Sequence, residues 1–434
     1  MALGDDMRLE QTWRWYGPKD PVTLLDVKQA GATGVVTALH HVPTGEVWTV
    51  AEIEKRQEEV AAAGLKWSVT ESVPVHEIIK QGGADRDKYI ANYQQSVRNL
   101  GACGITKLCY NFMPVIDWTR TDLERVWPDG ARALAFDIDD FVAFEIHILK
   151  RPGSEAHYGP EACTRAAARF AEMDQPRIDA LTQTVIAGLP GRMVEAYSLA
   201  EFQVALDAYK ALGATQLRAN LAYFLKAVVP VAEEAGVFMA IHPDDPPMDL
   251  LGLPRVVSTE DDVKHLLGAV DSVHNGLTFC VGSYGSSPDN DVEGMAARYA
   301  SRVHFVHLRN VIKEGDGRRS FVESDHLDGD IDMYNVMCTF TRERVRLRHD
   351  TQEPHGAPPC SLSSPTRAAP TSHLSPRTTR PIRRRDASPR DGPTRSCRSG
   401  PTTAIRCSTT STARRPTQAT RASAGCAASP SCAA

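Results

Sequence analysis

The sequence predicts an α/β chain folded as a (β/α)8 TIM barrel, and three observations carry that prediction. Seven short apolar runs follow one another within residues 1–340, and most are separated by helical patterns. Runs of this kind mark parallel sheet, which needs crossover helices and is buried on both faces. No Gly-x-Gly-x-x-Gly follows the first run, which disfavours an open doubly wound sheet around a dinucleotide.

The elements follow in order. Trp13-Arg-Trp-Tyr16 is the first strand, and Asp20-Pro21 offers a cap and a first-turn proline for a helix ending near Gly31. Gly34-Val-Val-Thr-Ala-Leu39 is the second strand. Thr49-Val-Ala-Glu52 reads as a capping box opening a helix that stops at Gly64. Lys66-Trp-Ser-Val-Thr-Glu71 is the third strand; a helix over about 85–100 leads to the fourth, Ile105-Thr-Lys-Leu-Cys-Tyr110. Residues 120–212 read as a mainly helical, polar insertion. A helix near 221–235 precedes the fifth strand, Val237-Phe-Met-Ala-Ile-His242. Leu277-Thr-Phe-Cys280 is the sixth and Val303-His-Phe-Val-His-Leu308 the seventh. An eighth strand is due after a helix over 332–340, and nothing beyond it resembles one.

The net charge of −5 over 434 residues hides two unlike parts. Residues 341–434 hold 17 Arg, no Lys, 5 acidic residues, 12 Pro and no Phe, Tyr, Trp or Met, a charge of +12. Such a tail cannot bury enough apolar surface to offset its chain entropy, so it is expected to be disordered. Residues 1–340 carry 32 basic and 49 acidic residues, a charge of −17, and have the composition of a folded domain. Their acidity disfavours nucleic acid as a partner. No apolar run approaches the roughly 20 residues of a membrane helix, and the acidic start is no signal peptide. Five isolated cysteines (103, 109, 163, 280 and 338) without a Cys-x-x-Cys pair suit a reduced, cytoplasmic setting.

In a barrel the chemistry gathers where strands end and βα loops begin. Three successive strands end in His242, Cys280 and His307, spaced 38 and 27 residues apart, about one βα unit each. Adjacent strands lie roughly 4.8 Å apart, so equivalent ends converge on one ion. A lone histidine or cysteine at such a place is usually structural; three in succession point to a first-row transition metal. His304 competes with His307, but alternation puts the two on opposite faces, and His307 is nearer the C-terminal end. Asp244 and Asp245 sit in the loop after strand five, and the glycines of Gly282-Ser-Tyr-Gly285 permit close backbone approach to a ligand. Arg309 is a candidate clamp for a carboxylate, with Asn310 beside it. His326 and Asp328 are candidate acid/base groups. Trp15, Tyr16, His40 and Asn111 are candidate substrate contacts at the ends of strands one, two and four, or else plugs of the barrel.

These strings resemble the mannonate dehydratase family. The resemblance is carried by Thr12-Trp-Arg-Trp-Tyr-Gly-Pro18, Gly31-Ala-Thr-Gly-Val-Val-Thr-Ala-Leu-His-His41, Tyr110-Asn-Phe-Met-Pro114, Ile241-His-Pro-Asp-Asp-Pro-Pro247, Phe279-Cys-Val-Gly-Ser-Tyr-Gly285, Val306-His-Leu-Arg309 and His326-Leu-Asp-Gly-Asp330. It implies a xylose-isomerase-like barrel that dehydrates D-mannonate to 2-keto-3-deoxy-D-gluconate in hexuronate breakdown, with Mn2+ or Fe2+. It carries the family's metal ligands onto His242, Cys280 and His307. The implied partner is a small sugar acid; a homo-oligomer is compatible with this reading.

One departure stands out. The family's eighth strand runs into Arg-Pro-Asp-His-Gly, whose Asp is a fourth metal ligand, and an Asn-Pro-Gly-Tyr stretch follows; neither string occurs here. The mixture of Arg, Pro, Ala, Ser, Thr and Cys from about Thr341 is what GC-rich coding sequence yields when read out of frame. Two rivals remain at this point: a metal-dependent sugar isomerase or epimerase on the same barrel, and an impaired product whose unpaired strand edges favour aggregation. If the reading frame shifts near Phe340, translation one base over restores Arg-Pro-Asp-His-Gly; its absence from both shifted frames excludes the frameshift.

Overall fold

A computed structural model describes residues 9–187, 198–315, 317 and 319–352. Seven parallel strands form one curled sheet in the order β1 (Thr12–Arg14), β2 (Gly34–Thr37), β3 (Lys66–Glu71), β4 (Lys107–Tyr110), β7 (Phe238–Ile241), β8 (Asn275–Cys280) and β9 (Val303–His307). The crossover helices are Leu24–Gln29, Val50–Ala62, Arg86–Ala102, Ala214–Glu234, Glu260–Ala269 and Val292–Tyr299. The seven parallel strands of the predicted barrel are all present, curled as a half-barrel, and β3 has the predicted bounds. β2 and β8 are wholly buried, whereas β1 and β9, the outermost strands, are half-buried along their lengths. Most of the core, including Trp48, Trp67, Phe224 and Phe279, lies in one large hydrophobic cluster. A smaller cluster of Val36, Val69 and Cys109, with Phe305 packed on it, joins side chains of β2, β3, β4 and β9.

Local chemistry departs from the sequence reading at two caps. The first helix is capped by Thr23, in a reciprocal box with Asp26. Asp20 instead accepts from the backbone N–H groups of Tyr16 (2.8 Å) and Val22 (2.9 Å), fixing the turn after β1. Thr49 does cap Val50–Ala62, but the Glu52 carboxylate turns to His41, at 2.7 Å, and leaves the box half made.

The insertion is not only helical. Its β5 (Asp122–Val126) and β6 (Arg132–Phe136) flank a turn at Gly130, which adopts φ +86°. They join β10 (Asn310–Glu314) and β11 (Ser320–Ser324) in an antiparallel sheet of order β10-β11-β6-β5. Arg120, just ahead of β5, is fully buried and ties the two sheets together. It reaches Asp245 after β7 at 2.8 and 3.2 Å, and Glu323 of β11 at 3.2 Å.

The last described helix runs from Met333 to Gln352, past the predicted boundary at Phe340. Residues 341–348 alternate Arg with Leu, Val and Glu, which are acceptable helix formers despite their charge. The chain up to Val345 belongs to the unit described here, and Arg346 begins a second. The predicted tail from 353 lies outside the described residues. Among the described residues no helix is long and apolar enough to cross a membrane.

Breaking a buried ion pair by removing one partner leaves an uncompensated charge. Arg120→Ala is therefore expected to cost about 3–5 kcal/mol, read as a lowered urea midpoint. An unchanged midpoint would show that the insertion is held by other means.

Candidate metal centre

His242 follows β7, Cys280 ends β8 and His307 ends β9. Cys280 and His307 are register partners, which puts their side chains on one face of the sheet. The facing nitrogens His242 Nε2 and His307 Nδ1 lie 3.1 Å apart. The three donor atoms all lie within 4.8 Å of one another. Parallel strands end on the same rim, so three consecutive ends converge, with one register shift in the β8–β9 pairing ahead of Cys280 and His307. His304, on the opposite face of β9, donates to the Val273 carbonyl at 2.8 Å and is removed from the site.

Burial opposes ionisation of Cys280, but the Arg309 guanidinium and the two imidazoles reverse that effect and hold the thiol well below its usual range. The thiolate is the form that binds metals. Arg309 lies against the backbone of Gly282; a Cβ there would fall 2.3 Å from its Nε. Glycine thus makes room for the arginine, not for a ligand as the sequence suggested. Arg309 in turn donates to Asp245 (2.7 Å), Glu323 (3.3 Å) and Ser283 Oγ (3.0 Å). Ser283 Oγ also stands 3.0 Å from Cys280 Sγ. Burial disfavours a charged Asp245, yet Arg120 and Arg309 hold it well below the usual carboxylate range.

On the other side of the cluster, Glu71 ends β3. Its Oε2 is 3.4 Å from His307 Nε2 and its Oε1 is 2.8 Å from Arg14 Nη1. Burial would lower the His307 pKa, but Glu71 and Cys280 raise it to about 9. The Arg14 guanidinium carbon lies 4.9 Å from the Tyr16 ring centroid, so both face the interior. The donor set of one ionised thiol and two imidazoles suits a divalent transition metal.

The profile of the D-mannonate dehydratase family (UxuA) matches residues 9–357. The chain belongs to the D-mannonate dehydratase family. Its enzyme class is that of a hydro-lyase. It is 54% identical over 342 residues to a mannonate dehydratase of Chromohalobacter salexigens, covering 79% of this chain and 87% of that protein. It is 50% identical over 351 residues to mannonate dehydratase 1 of Agrobacterium fabrum, covering 81% and 87%. The crystal structure of mannonate dehydratase from Streptococcus suis serotype 2 superposes with a TM-score of 0.61 at 39% identity, over 77% of this chain and 82% of that one.

Several candidates in this mannonate dehydratase chain have other work. Trp15 points into the helix layer, where Arg56 of Val50–Ala62 lies 5.1 Å from its ring; alternation along β1 sends Arg14 and Tyr16 inward instead. Asp244 is buried and accepts from Val257 N and Ser258 Oγ, both at 2.8 Å, so it shapes its own loop. Asn310 is buried and binds the backbone of His326 and Ile331, tying down the loop after β11. Both terminal nitrogens of Arg309 are committed to Glu323, Asp245 and Ser283. Asp328 is exposed and His326 half-buried, and the group of converging donors found among the described residues includes neither. The Tyr16 hydroxyl and the Asn111 side-chain oxygen are buried without a hydrogen-bond partner. The His40 ring lies 5.7 Å from that of Tyr16. Spacing along the sequence did not single out Arg14 and Glu71, although Glu71 ends a strand as Cys280 and His307 do.

At neutral pH the metal-free protein is expected to show the ultraviolet absorbance of one thiolate that Cys280→Ser lacks. Arg309→Met should abolish it by letting the thiol pKa rise. Identical spectra for wild type and Cys280→Ser would refute the ionised cysteine.

Proposed function

We propose that this chain dehydrates D-mannonate to 2-keto-3-deoxy-D-gluconate, with His242, Cys280 and His307 holding Mn2+ or Fe2+. The observation that carries the proposal is the convergence of a cysteine sulfur and two imidazoles within 4.8 Å at the rim of a mannonate dehydratase fold, with burial opposed by Arg309 and the imidazoles so that the thiol is held well below its usual range. The reaction removes a proton from C2, beside a carboxylate, and a hydroxyl from C3. Proton removal there builds a second negative charge. A divalent ion supplies the Lewis acidity that such a charge requires.

The chain's own groups set the rest of the pocket. Burial pushes the Tyr16 phenol up to about 12, against the pull of Arg14, so it stays a donor at neutral pH. The Asn111 oxygen accepts. Both are suited to hydroxyls of a sugar acid, and a buried polar atom left unpaired is costly until a ligand meets it. We place the reaction in the cytoplasm, in keeping with the free state of all five described cysteines.

His307, raised to about 9, carries a proton in the metal-free protein at neutral pH. A cation must displace that proton, so metal binding is favoured as pH rises and weakens by up to about tenfold per pH unit below about 9. Titrating the metal at several pH values checks this; a pH-independent affinity counts against His307 as a ligand. The activity test is D-mannonate with the purified chain and Mn2+ or Fe2+. An ion-dependent 2-keto-3-deoxy acid that disappears in His242→Ala supports the assignment. An epimer or ketose formed without loss of water assigns the site to isomerisation, and no product with either ion overturns the proposal for this chain.

A further inference from the structure

We infer that Glu71, oriented by Arg14, is a positioning residue that decides which nitrogen of His307 is presented to the cation. The inference rests on the metal site proposed above. His242 Nδ1 lies 2.7 Å from the Pro243 carbonyl and must donate its proton there, which leaves Nε2 as the free lone pair. That nitrogen faces His307 Nδ1 at 3.1 Å. For both facing nitrogens to act as ligands, the His307 proton must sit on Nε2. The group beside Nε2 is Glu71 Oε2, at 3.4 Å, at the long end of hydrogen-bond reach. A carboxylate only accepts, so it selects the Nε2–H form. Its second oxygen is committed to Arg14 at 2.8 Å, which stops the carboxylate from turning away. Carboxylates behind metal-bound imidazoles act this way in general, and losing one typically weakens metal affinity 10–100-fold.

An amide in place of this carboxylate has one accepting and one donating end. Arg14 can only donate, so in Glu71→Gln the amide oxygen faces Arg14 and the NH2 faces His307 Nε2. That arrangement demands a lone pair on Nε2 and moves the ring proton to Nδ1, the atom aimed at the cation. Replacing Arg14 as well, in Arg14→Met/Glu71→Gln, releases the amide to turn over and accept from Nε2.

The experiment is competition with a chelator for Co2+, followed by the thiolate-to-cobalt absorption band, with thermal melting of each metal-free variant as a check on folding. Glu71→Gln should bind Co2+ at least about tenfold more weakly than wild type, and the double variant should recover most of that loss. The nitrogen chemical shifts of 15N-labelled His307, saturated with Zn2+, should report a protonated Nε2 in wild type and in the double variant. If Glu71→Gln binds within twofold of wild type, or the double variant recovers nothing, the role assigned to Glu71 is wrong. If wild type itself shows no thiolate-to-cobalt band, the metal site is what fails, and Glu71 has no cation to serve.

Discussion

A cysteine held out of water, with its thiol pulled toward ionisation, is the constraint around which the rim of this sheet is built. Burying a charge costs several kcal/mol unless an opposite charge and hydrogen bonds meet it. Cys280 is met by Arg309, which must approach closely, and Gly282 grants that approach. Arg309 is itself buried, so it needs Asp245 and Glu323, and these share a second arginine, Arg120. The array alternates in sign. Burial raises the Glu323 pKa even against the pull of both arginines, which moves the group of five toward neutrality. Arg120 comes from the insertion and Glu323 from the hairpin after β9. The antiparallel sheet therefore supplies the far end of a charge array whose near end is the Cys280 sulfur.

Much of this was legible in the sequence, and the reasons are local. β strands buried on both faces announce themselves as apolar runs, which is why all seven parallel strands were found. The convergence of His242, Cys280 and His307 was legible because parallel strands end on one rim, so spacing along the chain becomes proximity in space. The antiparallel sheet was not read, although Gly315-Asp-Gly317 between two alternating runs is a hairpin signal. The loop assignments failed for a different reason. Trp15, Asp244 and Asn310 are polar or aromatic residues beside the site in sequence, but a one-residue step or a tight loop turns each toward the scaffold. Sequence proximity to a strand end places a Cα at the rim; it does not say whether a side chain faces the ligand or braces the loop.

His307 poses a separate problem. It sits at the end of β9, an outermost strand that is half-buried throughout and has a hydrogen-bonded neighbour on one side only. A side chain on such a strand needs another source of rigidity if it is to keep a fixed place in a cluster of donor atoms. Two contacts across the concave face supply it. Deep in the sheet, Phe305 packs on Val36, Val69 and Cys109, an apolar anchor without directional preference. At the rim, Glu71 of β3 and Arg14 of β1 meet His307 through charge and hydrogen bonds, which are directional. The first contact fixes the distance of β9 from the opposite strands, and the second fixes the rotation of the ring at its end. Because Arg14 lies on the other outermost strand, the His307–Glu71–Arg14 chain links the two edges of the sheet across its interior, with no strand pairing between them among the described residues. The orientation of the His307 ring on β9 is thereby coupled to the position of β1, and a disturbance at either edge reaches the His242–Cys280–His307 cluster.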